Sequence, residues 1–146
     1  MSASSPTSIT PEPRRNRYVF WLFADWILLC IWAVDAALVM SHTHLGSFTD
    51  HAADLALPAW LYVSFRRHRN SASTRWRRLF SNLHPAALAF VIFAASSATE
   101  ICQRFWPRGL FAGTYDQIDV VAYGVGILVC FAADVRWQIP GHRPLA

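Results

Sequence analysis

The sequence predicts an all-α integral membrane bundle of four transmembrane helices with both ends in the cytoplasm, and three observations predict it. The 146 residues are 54% hydrophobic and 15% charged, against about 25% charged residues in an ordinary water-soluble domain. The charge is gathered into short segments that separate long apolar runs, which is how a chain looks when lipid is the solvent. All 13 basic residues are arginine, and they divide unevenly between alternate connecting segments. Eleven fall on one side, at 14, 15, 17, 66, 67, 69, 75, 77, 78, 136 and 143, and two, Arg104 and Arg108, on the other. The arginine-rich side is the cytoplasmic one.

Residues 1–17 carry serine, threonine and three prolines without apolar periodicity, and such a segment cannot repay the entropy of ordering. They read as a disordered cytoplasmic tail. A 23-residue apolar run over 18–40, broken by Asp25 and Asp35, has the length needed to cross about 30 Å of hydrocarbon. The arginines before it resemble a signal-peptide start, but the run is long and more spans follow, so an uncleaved anchor is expected. Residues 41–49, polar with one glycine, form a short loop. The second helix is expected over 50–65 and is the weakest span, with three polar residues at its start and Pro58 in its middle. Only 55–65 is continuously apolar, a length that by itself suits a re-entrant segment. Parity decides for a crossing, because the arginines after residue 65 would otherwise lie outside.

A third helix follows over 83–102, with Pro85 tolerated in its first turn, and a fourth over 118–135. Residues 18–137 thus form one membrane domain and 138–146 a short cytoplasmic tail. Tyr18, Trp21, Trp76, Trp106 and Trp137 fall near the expected interfaces, where amphipathic aromatics collect. Cys30, Cys102 and Cys130 stand far apart without a CxxC spacing, and read as small packing residues. A basic chain with pI near 9.4 raises the question of nucleic acid. The arginines flank apolar runs and build no separate basic domain, so topology explains them and no nucleic-acid partner is expected. The expected surroundings are the lipid bilayer.

The acidic residues are not scattered. Asp50, His51 and Asp54 open the second helix, Glu100 and Gln103 close the third, Asp116 and Asp119 start the fourth, and Asp35 lies near the end of the first. The expected topology sends all of them to the extracytoplasmic side. Ser96, Glu100 and Gln103 share one stripe of their helix and Asp119, Tyr123 and Gly126 one stripe of theirs, so two polar stripes can meet. Carboxylates near hydrocarbon are costly unless paired or hydrated, and such clusters are candidate sites. Capping explains Asp50, Asp116 and Asp119 about as well. Glu100 is different, since a carboxylate in a last turn opposes the helix dipole and needs a partner such as Arg104 or Arg108.

Asp25 lies about two turns inside the first helix, and reads as neutral or paired across helices rather than as a proton relay, because one acid makes no pathway. Replacing it with leucine is expected to leave insertion intact or improve it. His42 and His44 with Asp50, His51 and Asp54 offer zinc-type ligands, but their spacing matches no zinc motif, and neither a metal nor a cofactor is expected. Ser/His/Asp, Walker, HExxH and glycine-rich phosphate patterns are absent from the sequence. Gly109, Gly113, Gly124 and Gly126 suggest turns or close helix contact.

Residues 99–126, TEICQRFWPRGLFAGTYDQIDVVAYGVG, resemble the carboxy-terminal signature of the VanZ-like membrane proteins. The matching positions are Glu100, Gln103, Pro107, Arg108, Asp116, Asp119 and Gly126, and Tyr123 stands where the family usually has asparagine. The resemblance covers the last third of the chain; the first two helices agree by hydropathy and by the cluster from Asp50 to Asp54. It implies a multi-pass protein of the bacterial plasma (inner) membrane engaged in cell-envelope biology, without naming a reaction. Two readings follow for Glu100, Gln103, Arg108, Asp116, Asp119, Asp50 and Asp54. They bind or process an envelope lipid or peptidoglycan-related head group at the outer face, with Arg108 holding an anionic group. Alternatively, they lock the helices or dock another membrane protein, without catalysis.

Overall fold

A computed structural model describes residues 13–43, 46–68, 83–105 and 116–137, with the side chains of 13–15 and 47–50 left outside that description. The described chain is all-helical: α1 (Pro13–Met40), α2 (Ser47–His68), α3 (Pro85–Phe105) and α4 (Gln117–Trp137). The expected tails before residue 13 and after residue 137 lie outside the described residues. α1 starts five residues earlier than the apolar run, so residues 13–17 of the expected tail are helical. Proline at a helix start has no amide to lose and a φ already suited to the first turn.

The helix ends follow from local chemistry. At the end of α1 the Thr43 amide donates to the Leu38 carbonyl at 3.0 Å and the His42 amide to that of Val39 at 3.1 Å. This is a Schellman closure, with His42 in the left-handed position at φ 54° that usually falls to glycine. At the start of α3 the His84 ring accepts from the Ala86 amide at 3.3 Å, with Pro85 in the first turn. At the start of α4 the Asp116 carboxylate accepts from the Ile118 amide at 2.8 Å, the N-cap bond that serves an otherwise orphaned donor.

Contacts between helices fix their directions. Arg17 near the start of α1 donates to the Trp137 carbonyl at the end of α4 at 3.4 Å, and Asp25 of α1 meets Arg67 at the end of α2. At the opposite end, His51 of α2 meets Asp119 of α4 at 2.9 Å, and Glu100 near the end of α3 meets Tyr123 at 2.7 Å. Hence α1 and α3 run one way, α2 and α4 the other. α2 is the central element, packed by all three other helices.

That position explains why α2 reads as the weakest span. Three helices, α1, α3 and α4, are long and apolar enough to cross a membrane by length and composition. Their outer faces carry exposed large apolar side chains, among them Phe23, Trp26, Phe90, Val121 and Leu128. An apolar surface of this extent fits hydrocarbon better than water. α2 instead buries Ala56, Pro58, Ala59, Tyr62 and Val63, small or polar-tipped residues that suit a helix surrounded by protein. A sequence window scores solvent preference along the chain, and α2's solvent is its neighbours.

The core joins all four helices through Trp21, Tyr62, Val63, Leu88, Ile92 and Ile127. Trp21, expected near an interface, is 2% exposed and packs edge-on against Phe20. Tyr18 and Trp137 are exposed, as interfacial aromatics should be. Trp76 and Trp106 lie outside the described residues.

Candidate functional site

Two polar layers cross the bundle, and they are built differently. In the layer at the arginine-rich end, each carboxylate has a guanidinium. Asp134 of α4 takes both Arg66 Nε at 2.6 Å and Arg66 Nη2 at 3.2 Å, and accepts the Tyr62 hydroxyl at 2.6 Å. Such a two-pronged arginine contact is the strong, geometrically selective form of ion pair. Asp25 of α1 is paired with Arg67 and accepts the Ser64 hydroxyl at 3.1 Å. The Arg67 guanidinium also lies 5.8 Å from the Tyr18 ring centroid, within cation–π range.

The Asp25–Arg67 pair selects between the two readings of Asp25 and reverses the expectation for its removal. Asp25→Leu lowers the transfer cost of α1 but leaves Arg67 without its partner among helices. Arg67 is long enough to swing toward water at its end of the bundle, so the expected cost is moderate, about 2 kcal/mol. Thermal unfolding of the variant in detergent checks it, and an unchanged melting temperature would show the pair to be dispensable.

The second layer lies at the other end, and its acids are held by a phenol and an imidazole. The Tyr123 hydroxyl of α4 contacts Glu100 Oε1 of α3 at 2.7 Å and Asp54 Oδ1 of α2 at 3.2 Å. Beside it, Asp119 Oδ1 is 2.9 Å from His51 Nδ1. The nitrogen and one carboxylate oxygen each from His51, Asp116 and Asp119 lie within 4.8 Å of one another. Glu100 is 3% exposed, and its Oε2 is buried without a hydrogen-bond partner.

The proton count of this layer is informative. A phenol has one hydrogen, which satisfies one of its two carboxyl neighbours at a time. The cluster is rich in acceptors, and a set of this kind can accept a donor or a cation.

Of the expected site residues, the structure brings Glu100, Asp54, Asp116 and Asp119 to this one end of the bundle. Gln103 is half-buried on α3. The Asp50 side chain and Arg108 lie outside the described residues. Asp116 does cap α4, as its alternative reading held, using Oδ1 alone. The stripes of α3 and α4 do meet, at Glu100 and Tyr123. Two members were not among the candidates: Tyr123, the departure from the VanZ-like pattern, and His51. Tyr123 was already on the polar stripe with Asp119, so its signal was present. His51 stood in the acidic opening of α2, where its link to a residue 68 positions away has no local mark. No protein-family model, curated protein or solved structure matches this chain.

Proposed function

We propose that the chain is a multi-pass protein of the bacterial plasma membrane, VanZ-like in its last third, whose outer carboxylate cluster binds the head group of an envelope lipid or a peptidoglycan-related precursor. In this reading all four helices cross and both termini are cytoplasmic. The alternating helix directions support it, as does the length of α2: its 22 residues rise about 33 Å, enough for the hydrocarbon layer. So does the arginine count of eleven against two. Fusion reporters at Asn70 and after Ala146 should report cytoplasm and one at Gly113 the outside; an external Asn70 would remove α2 from the spans.

The observation that carries the site is the contrast between the layers. Asp25 and Asp134 are each matched by an arginine, which is what a structural carboxylate in a membrane needs. The outer acids are crowded onto one another, with Tyr123 and His51 between them and one Glu100 oxygen buried without a hydrogen-bond partner. Acceptor-rich sites hold amines and sugar hydroxyls, which fits the polar parts of envelope precursors. A noncatalytic reading is favoured by a different observation, that Tyr123 ties α2, α3 and α4 together through Asp54 and Glu100.

Tyr123→Phe separates the two. If the cluster is a ligand site, the variant should retain its melting temperature and lose the ability to complement a deletion strain. If it is a lock, the variant should lose about 1–3 kcal/mol of stability, with activity falling only as abundance falls. Full complementation at normal abundance by Tyr123→Phe and Glu100→Gln would overturn both.

A further inference from the structure

We propose that His51, Asp116 and Asp119 form a binding site for one divalent cation of the Zn2+ or Mn2+ class, with Asp54 beside it. The cluster shares residues with the head-group site proposed above but stands on observations of its own, and a cation there is compatible with either reading of that site.

The first observation is the ligand set. One imidazole nitrogen and two carboxylate oxygens, contributed from the start of α2 and the start of α4, lie within 4.8 Å of one another. A cation about 2.0–2.4 Å from each spans such a group. Mixed nitrogen and carboxylate donors without thiolate favour Zn2+ or Mn2+ over the softer cations, and the imidazole disfavours Mg2+ and Ca2+. All three residues are half-buried, so the site has a route to water and partial shielding from it.

The second observation is that the surroundings are arranged for added positive charge. Asp54 accepts from or donates to the Tyr123 hydroxyl at 3.2 Å, three residues along α2 from His51. Glu100, 3% exposed, gives Oε1 to the hydroxyl that also touches Asp54, while its Oε2 has no hydrogen-bond partner. Asp116 spends only Oδ1 on its cap, which leaves Oδ2 for a metal.

The test uses the untagged full chain in detergent, stripped with chelator, and titrated calorimetrically with Zn2+, Mn2+ and Mg2+. The proposal expects one equivalent of Zn2+ or Mn2+ per chain and at least tenfold weaker Mg2+ binding. His51→Ala and Asp119→Asn should each weaken the preferred ion at least tenfold, whereas His68→Ala, at the opposite end of α2, should leave it unchanged. Should either variant be recovered poorly, Co2+ absorption of the parent chain gives a second readout: d–d bands of a nitrogen and oxygen site are expected, and the spectrum of hexaaqua Co2+ would overturn the proposal. Binding absent from the parent, or unaltered in folded His51→Ala, would also overturn it. Saturable cation binding together with full complementation by Tyr123→Phe and Glu100→Gln would sustain the metal site and remove the function proposed above. Loss of complementation by Tyr123→Phe at normal stability, with no cation bound, would do the reverse.

Discussion

Replacing Arg66 with leucine is expected to destabilise the bundle by about 3–5 kcal/mol, the cost of stranding one member of a buried ion pair. The partner left behind is Asp134, whose side chain is 1% exposed and which also accepts the Tyr62 hydroxyl. Asp134→Leu should cost a similar amount, because the guanidinium then loses both of its contacts to that carboxylate. The double variant is expected to lose clearly less than the sum, since neither charge remains to be desolvated alone. It still leaves the Tyr62 hydroxyl without its acceptor. Adding Tyr62→Phe to the double variant should therefore be near neutral, although Tyr62→Phe in the parent chain should cost about 1–3 kcal/mol. Thermal or denaturant unfolding in detergent measures the set, and strict additivity of the two leucine variants would show that Arg66 and Asp134 act independently.

The same pair shows where the sequence was legible and where it was not. Three of the helices could be read from the length of their apolar runs, which match the thickness of a hydrocarbon layer, whereas α2, with a short run, was placed by parity of the arginines. Their ends needed more than hydropathy. α2 extends from Ser47 to His68, beyond the apolar stretch on both sides, since Arg66 and Arg67 find carboxylates on neighbouring helices and His51 finds Asp119. Before the structure, Arg66 and Arg67 counted only as positive charge that sets orientation. Asp134 lay within the fourth expected helix, 118–135, with no role assigned to it. Pairing across 68 positions leaves no periodic trace along the chain, and the sequence cannot record which neighbour a helix face meets. The acidic cluster was more visible, because acids at the start of α2, the end of α3 and the start of α4 converge as soon as those helices alternate in direction. What stayed hidden was the connecting chemistry. A tyrosine at a position where asparagine was expected looked like a departure from a pattern, and the structure makes it the hydroxyl shared by Glu100 and Asp54.

The glycines of α4 make the last expectation, because two of them two residues apart should respond to the same substitution with opposite sign. Glycine inside a helix costs about 1 kcal/mol relative to alanine, so alanine gains wherever its methyl group has room. At Gly124 it has: a Cβ there meets only the Phe93 ring edge, at 3.5 Å, which is ordinary contact and adds buried apolar area. Gly124→Ala is therefore expected to be neutral or to stabilise by up to about 1 kcal/mol. At Gly126 a Cβ falls against the Leu55 carbonyl oxygen, far inside van der Waals contact, and 3.4 Å from the Ala59 Cβ. The obstacle is backbone of the central helix, which no side-chain rotation relieves. Gly126 is where α2 and α4 approach closely, with Ala56 and Ala59 buried on the α2 side, the small-residue packing by which helices associate in lipid. Relief requires the two helices to move apart, which stretches the Tyr62–Asp134 and Arg66–Asp134 contacts on one side and the Asp54–Tyr123 contact on the other. Overpacking of this kind costs about 1–3 kcal/mol or more and outweighs the propensity gain. Gly126→Ala should lower the melting temperature in detergent, and Gly126→Leu should prevent recovery of folded protein. Equal stability of Gly124→Ala and Gly126→Ala would mean that α2 and α4 are not in close contact at this level.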